Sequence, residues 1–190
     1  KLTFESAPDK GLYDAINIAW KKMPQDADVT SHLNSYEQYL PGALSAVADE
    51  LQRNPKADIA VASYMVLDKD YRYICHRRTS RPNKTISRVI CQLITCATFH
   101  RAEVFRKRGV YFDPTYRSLA DVVFYRDIMA TSPKVLQLPH VFSSIYVVTG
   151  YNVSWSDITE TDKARLYAAL PAHLVKLCPF FVKWNNLQYF

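Results

Sequence analysis

The reading of the fold turns on His32-Leu-Asn-Ser-Tyr-Glu-Gln-Tyr-Leu-Pro-Gly-Ala-Leu44. Asp28 to Leu33 is an apolar-flanked run that ends abruptly in small and polar residues. Pro41-Gly42 then opens an amphipathic segment reaching Arg53, with Leu44, Val47, Ala48 and Leu51 on one helical face and Asn54-Pro55 as its stop. The order predicted is a buried strand, a polar loop and a helix. In open α/β sheets, ligands gather beyond the C-terminal ends of strands. Asn34, Ser35 and Glu37 are therefore the first candidates for contact with a ligand or a metal.

Moving outward, Asp9-Lys10-Gly11 precedes a helix predicted over Leu12 to Lys22, with Leu12, Ala15, Ile16, Ala19 and Trp20 on one face. Lys10 beside a helix start suits an anion, because the ammonium and the free backbone donors both attract it. Downstream, Asp58 to Leu67 reads as a strand, Asp68-Lys-Asp70 as a turn and Tyr71 to His76 as the returning strand. Arg77, Arg78, Arg81, Lys84 and Arg88 make the most basic window, readable as a solvated loop or as a basic lid over a phosphate. Thr85 to Thr95 looks helical, and His100 reads as a satisfied, partly buried histidine. A helix follows over Val122 to Ala130, then strands over Lys134 to Leu138 and Val141 to Thr149. A further helix is expected over Asp157 to Leu170, with Ile158, Leu166, Tyr167 and Leu170 inward. Residues 1–156 form one domain in this reading. Residues 157–190 form a helical, aromatic tail that packs on the domain or on an interface.

The chain has 190 residues and a net charge of +6 from 24 basic and 18 acidic side chains. That surface favours anionic partners such as phosphates and nucleotides. No nucleic-acid-binding motif accompanies it, so nucleic acid is not expected as a partner. No apolar run approaches the ~20 residues that span a bilayer. Cys75, Cys91, Cys96 and Cys178 include no C-x-x-C pair, which points to buried free thiols in a reducing compartment rather than disulfides or a metal site.

The central stretch resembles the Leu-Asn-Ser-Asp-Asp-x-Tyr-x-Pro-Gly-Ala-Leu segment of family 2 glycosyltransferases. Asp9-Lys-Gly-Leu-Tyr-Asp-Ala-Ile-Asn17 resembles a second block of the same family, and Cys96 to Phe105 and Tyr146 to Ser154 resemble two more. The resemblance runs in unbroken order from about Phe4 to Ser154. It implies an α/β fold of the GT-A type: a three-layer α/β/α arrangement around a mixed sheet. It further implies transfer of a sugar from a nucleotide-diphosphate donor to a hydroxyl on a glycan or lipid-linked acceptor, with inversion. By the same resemblance Asp121 is the general base, and Asp9, Lys10, Asp14, Asn17 and Asn34 form the donor wall. Glu37 is then the ligand for a divalent cation, manganese or magnesium. Tyr36-Glu37 stands where the family has two acids, which weakens that metal site. The histidine of the family's last block has no counterpart in register, Val148 and Thr149 standing in its neighbourhood.

Relatives begin with two further βα units, and no stretch here matches them. With Lys1 at the start, the expectation is a fragment, a partner chain supplying the rest, or a domain that has lost donor binding. The alternative function is accordingly a catalytically degenerate module that binds a glycan or a protein. The expected location is cytoplasmic, with peripheral membrane contact as a variant.

Overall fold

A computed structural model describes residues 4–150 and 157–187. Its centre is β3 (Ile59–Asp68), whose run Ile-Ala-Val-Ala-Ser-Tyr-Met-Val is apolar on both faces. Such a strand needs cover on both sides. Ile59 and Val61 face a core with Ile16 and Trp20 of α1 (Leu12–Lys21), Val104 and Phe105 of α3 (Ala102–Arg108), six residues of α4 (Ala120–Ala130) and Phe112. Ala60 and Ala62 face the other way, against Val47 and Leu51 of α2 (Ala43–Arg53) and Phe99. Helix, sheet, helix is the three-layer order expected.

The sheet runs β1 (Val29–Thr30), β5 (Thr98–Arg101), β3, β6 (Val135–Val148) and β2 (Gln38–Tyr39), with β4 (Tyr73–Arg77) paired to the second half of β3. It is mixed: β6 lies parallel to β3, whereas β4 and β5 are antiparallel to it. β1 and β2 sit at opposite ends of that order, yet the Ser31 and Tyr39 hydroxyls are hydrogen-bonded to each other. The sheet is therefore curled, and the chain from 31 to 39 bridges its two ends.

Several local expectations change. The strand expected over 28–33 is only Val29–Thr30, because the chain leaves the ladder to reach β2. The two strands expected around residue 140 are one, with a register slip: Ala62 pairs with Leu138, but Ser63 pairs with Phe142. Pro139 has no N–H to give the ladder, and the Ser63 hydroxyl donates to the Pro139 carbonyl at 3.1 Å instead. The helix expected over 85–95 shrinks to a 3-10 turn at Ile86–Arg88. Asn83 Oδ1 accepts from the Thr85 and Ile86 amides, and Gln92 Oε1 from the Asn83 amide and the Ser87 hydroxyl. These side chains satisfy the groups that a helix would have paired.

The tail helix is α5 (Asp157–Ala168), followed by α6 (Ala172–Leu187). Leu166 joins the main core as expected, whereas Ile158 is 36% exposed and Thr159 and Asp162 are buried in its stead. Leu174 and Cys178 of α6 pack on Val89. All four cysteines are free. The expectations for Tyr151 to Ser154 and for the last three residues of the aromatic tail fall outside the described residues.

Candidate functional site

A cavity of about 520 Å³ opens beyond the C-terminal end of β1. The 34–37 turn forms one wall, Tyr13 and Asp121 another, and the segment from Cys91 to Thr95 a third. Four sequence candidates line it, Asn34, Ser35 and Glu37 from the turn and Asp121 from a position far along the chain.

The turn is closed twice. The Glu37 amide donates to the Asn34 carbonyl at 3.1 Å, and Glu37 Oε2 accepts from the Asn34 amide at 2.7 Å. Glu37 Oε1 also faces Asn34 Nδ2, at 3.4 Å. Burial pushes the Glu37 carboxyl above its usual range, and the two Asn34 donors pull it part of the way back. Asn34 Oδ1 is buried without a hydrogen-bond partner. Tyr36, between them, has φ 68° and a side chain left 65% exposed.

Asp121 occupies the second position of α4. Its Oδ1 accepts from the Val122 amide at 2.8 Å. By area it is half-buried and opens on the cavity, but protein surrounds it closely enough to raise its carboxyl to about 6. Burial outweighs the helix-terminus and hydrogen-bond effects that favour the charged form. Beside it, the Cys91 thiol donates to the Leu93 carbonyl at 2.9 Å, and burial lifts its pKa well above the ordinary value. It is a protonated thiol at neutral pH and a poor nucleophile.

What holds Asp121 in place was not legible beforehand. Ser118 lies three residues ahead of it and is gripped from two helices. The Tyr13 hydroxyl donates to the Ser118 carbonyl at 3.0 Å, and Asp162 Oδ2 accepts from the Ser118 and Leu119 amides at 2.7 and 3.1 Å. The Ser118 and Thr159 hydroxyls meet at 2.6 Å. Asp162 thus supplies from α5 the acceptor that the start of α4 lacks in its own sequence. One signal was available: Thr159, Asp162 and Leu166 share a helical face, which makes two polar residues inward.

The remaining donor-wall candidates do not line the cavity themselves, although Leu12 and Tyr13 at the start of α1 do. Asp9 and Asp14 shape the loop ahead of α1, Asp9 Oδ1 accepting from the Gly11 amide at 2.8 Å and Asp14 Oδ2 from the Lys10 amide at 3.0 Å. Lys10 is exposed at the same helix start. Asn17 is buried, its Nδ2 donating to the Phe112 carbonyl at 2.8 Å and its Oδ1 accepting from the Phe112 amide at 3.0 Å. Both ends of that amide are spent on the fold, so Asn17 is a clamp between α1 and the loop before α4. Asn17→Ala should cost about 2–3 kcal/mol of stability by leaving both Phe112 groups buried and unpaired, a loss read from urea unfolding.

His100 also differs from expectation. It is 1% exposed, and neither ring nitrogen has a hydrogen-bond partner; the backbone of Thr30 lies near without reaching hydrogen-bonding geometry. It stacks on Tyr125 within the aromatic core.

The side chains present do not fit a carboxylate cage for a divalent cation. Among the described residues no three His, Cys, Asp or Glu side chains converge in a way that could hold a metal. Glu37, the expected ligand, has both oxygens turned to Asn34 donors.

No family model and no curated protein matches the sequence. The structure does find neighbours. S. aureus TarS, residues 1–349, in complex with UDP-GlcNAc superimposes at a TM-score of 0.63 and 13% identity, over 96% of this chain and 55% of that one. The chain shares the fold of TarS, a glycosyltransferase. The same TarS fragment with UDP gives a TM-score of 0.59 at 13% identity, over 91% of this chain and 51% of that one. Longer TarS gives 0.53 at 14% identity, over 91% of this chain and 31% of that one. The chain thus spans about half the length of the TarS 1–349 chains it matches. Among the described residues no helix is long and apolar enough to cross a membrane.

Proposed function

We propose that this chain carries a sugar-transferase domain of the family 2 kind. It would move a sugar from a nucleotide-diphosphate donor to a hydroxyl of a glycan or lipid-linked acceptor. The observation that carries this reading is Asp121, a carboxylate raised to about 6 that opens on a cavity faced by the 34–37 turn. A hydroxyl is a poor nucleophile until a nearby base takes its proton. In a single displacement the acceptor oxygen bonds the anomeric carbon as the bond to the diphosphate breaks. The bonding pair leaves with the phosphate, and the proton goes to Asp121. A base near pH 6 is charged at neutral pH yet basic enough to work.

Asn34 and Glu37 would orient the sugar or diphosphate end, and Lys10 with the start of α1 would offset the charge of the leaving group. No step runs through a metal, whose proper donor set is missing from the described residues. The sugar nucleotide that TarS holds, UDP-GlcNAc, is the first donor to try. A cytoplasmic location beside a membrane belongs to the same reading, because α6 leaves Leu177, Phe180 and Val182 exposed towards solvent. The competing reading, a binding module without catalysis, rests on Tyr36 and on a Glu37 already engaged within its own turn.

The test is calorimetric titration of UDP- and GDP-sugars with and without manganese. Binding that persists without manganese and weakens about tenfold in Glu37→Ala is expected, since Glu37 closes the turn through a charge-assisted bond. Binding without transfer to any acceptor would favour the module. A folded chain that binds no nucleotide sugar would sink the transferase.

A further inference from the structure

Tyr36 is unexplained by either packing or backbone preference. A bulky residue with φ near +68° sits in the region that L side chains seldom adopt, and such strain persists only where the surroundings over-determine it. Here they do, through the amide and carboxylate bonds that close the turn from Asn34 to Glu37. Strain of this kind is commonly offset by burying the ring, yet the Tyr36 side chain is 65% exposed. What the turn achieves is to stand an aromatic ring on the rim of the cavity.

Beside that ring is the second anomaly. Asn34 Oδ1 is buried and unpartnered on the same turn, and an amide oxygen in that state wants a donor. The aromatic face is electron-rich and apolar, matched to the positively polarised C–H face of a saturated ring. A hydroxyl or amide N–H on the edge of that ring would satisfy Asn34. One small ligand offers both, a pyranose.

We propose that Tyr36 and Asn34 Oδ1 form a pyranose-binding subsite, the sugar ring stacked on the Tyr36 ring and one of its polar hydrogens donated to Asn34. This rests on the reading of the cavity as a sugar site and deepens it. The phenol in the place of an acid is then no defect of a metal motif. It converts the turn from holding an ion to holding the sugar itself, which needs no divalent cation. Because the contact is made by the ring, the phenol oxygen is dispensable.

The experiment is NMR titration of the 190-residue chain in EDTA with N-acetylglucosamine, UDP-GlcNAc and UDP, for the native chain, Tyr36→Gly and Tyr36→Phe. Glycine removes the ring and accepts the positive φ, so Tyr36→Gly should melt about 2 °C higher than the native chain. Its affinity for both sugar-bearing probes should fall about tenfold while that for UDP stays unchanged. Tyr36→Phe should bind sugar as the native chain does. Undiminished sugar affinity in Tyr36→Gly would overturn the subsite while leaving the transferase reading intact. Equal losses for UDP and UDP-GlcNAc would place the base, not the sugar, on Tyr36 and likewise overturn it. A native chain that binds none of the three probes would overturn both.

Discussion

Asp121→Asn should lower the rate of sugar transfer by about a thousandfold, the usual weight of a general base. Donor affinity should stay within about twofold, since the amide keeps the shape of the carboxyl and the proton acceptor alone is lost. The pH profile should carry the same information. Native activity should rise as the pH passes through about 6, where Asp121 ionises, and the residual activity of the variant should lack that limb. A second readout needs no turnover. A carboxylate raised by burial destabilises the fold while it is charged. Asp121→Asn should therefore gain about 1–2 kcal/mol at pH 7, discounted for the solvent that reaches the side chain. Lost activity with gained stability is the mark of a residue kept for chemistry. Unchanged turnover in this variant would remove Asp121 from the mechanism.

The second large effect lies in the core. Burial lowers His100 to about 3 and His32 to about 4, and the charge that His32 would carry further opposes protonation of His100. Both rings contact Trp20, whose ring also stacks on Phe112. In the unfolded chain both titrate near ~6.5. Below that pH the unfolded chain takes up protons that the folded chain refuses, so stability falls as the pH drops and levels off only near the folded values. At pH 5 the loss is about 2 kcal/mol for each histidine relative to pH 7. Asp121 works against it, because its raised carboxyl relieves strain as it protonates through about pH 6. Urea unfolding at the two pH values measures the net loss. His100→Phe should recover about 2 kcal/mol of it at pH 5 while costing little at pH 7, since neither ring nitrogen has a partner to lose. Equal losses in the variant and the native chain would mean that His100 is protonated inside the fold.

The parts of the structure legible in the sequence are those written in periodicity. The doubly apolar β3, Val47 and Leu51 of α2, and Ile16 and Trp20 of α1 stand where the spacing puts them, whereas Leu44 and Ala48 of α2 and Leu12 and Ala19 of α1, expected on the same faces, are exposed. The strand at 28–33, the helix at 85–95 and the inner face of α5 do not follow the spacing. In each, polar side chains decided the backbone: the turn at Asn34, the Asn83–Gln92 network, and the grip of Asp162 on Ser118. Such pairings depend on which polar side chain reaches which backbone group, over three residues at Asn34 and over 44 at Ser118, and hydrophobic periodicity carries no record of them. The site follows the same rule. Glu37 and Asp121 were visible because a motif surrounds each, whereas Tyr13 and Asp162 act by holding backbone and have no motif to betray them. Asn17 had the motif, and its amide is spent on the backbone of Phe112.

The link between Ser31 and Tyr39 has a mechanical meaning. β1 and β2 close opposite ends of the sheet, and the nine residues from 31 to 39 span the gap like the string of a bow. The string is also one wall of the cavity. The width of the cavity mouth is therefore not set by a loose loop. It is tied to the bend of the whole sheet, and a ligand that draws the turn inward must flex the bow. Adding slack to the string would free the mouth from the frame and let the site accept shapes that the taut one refuses.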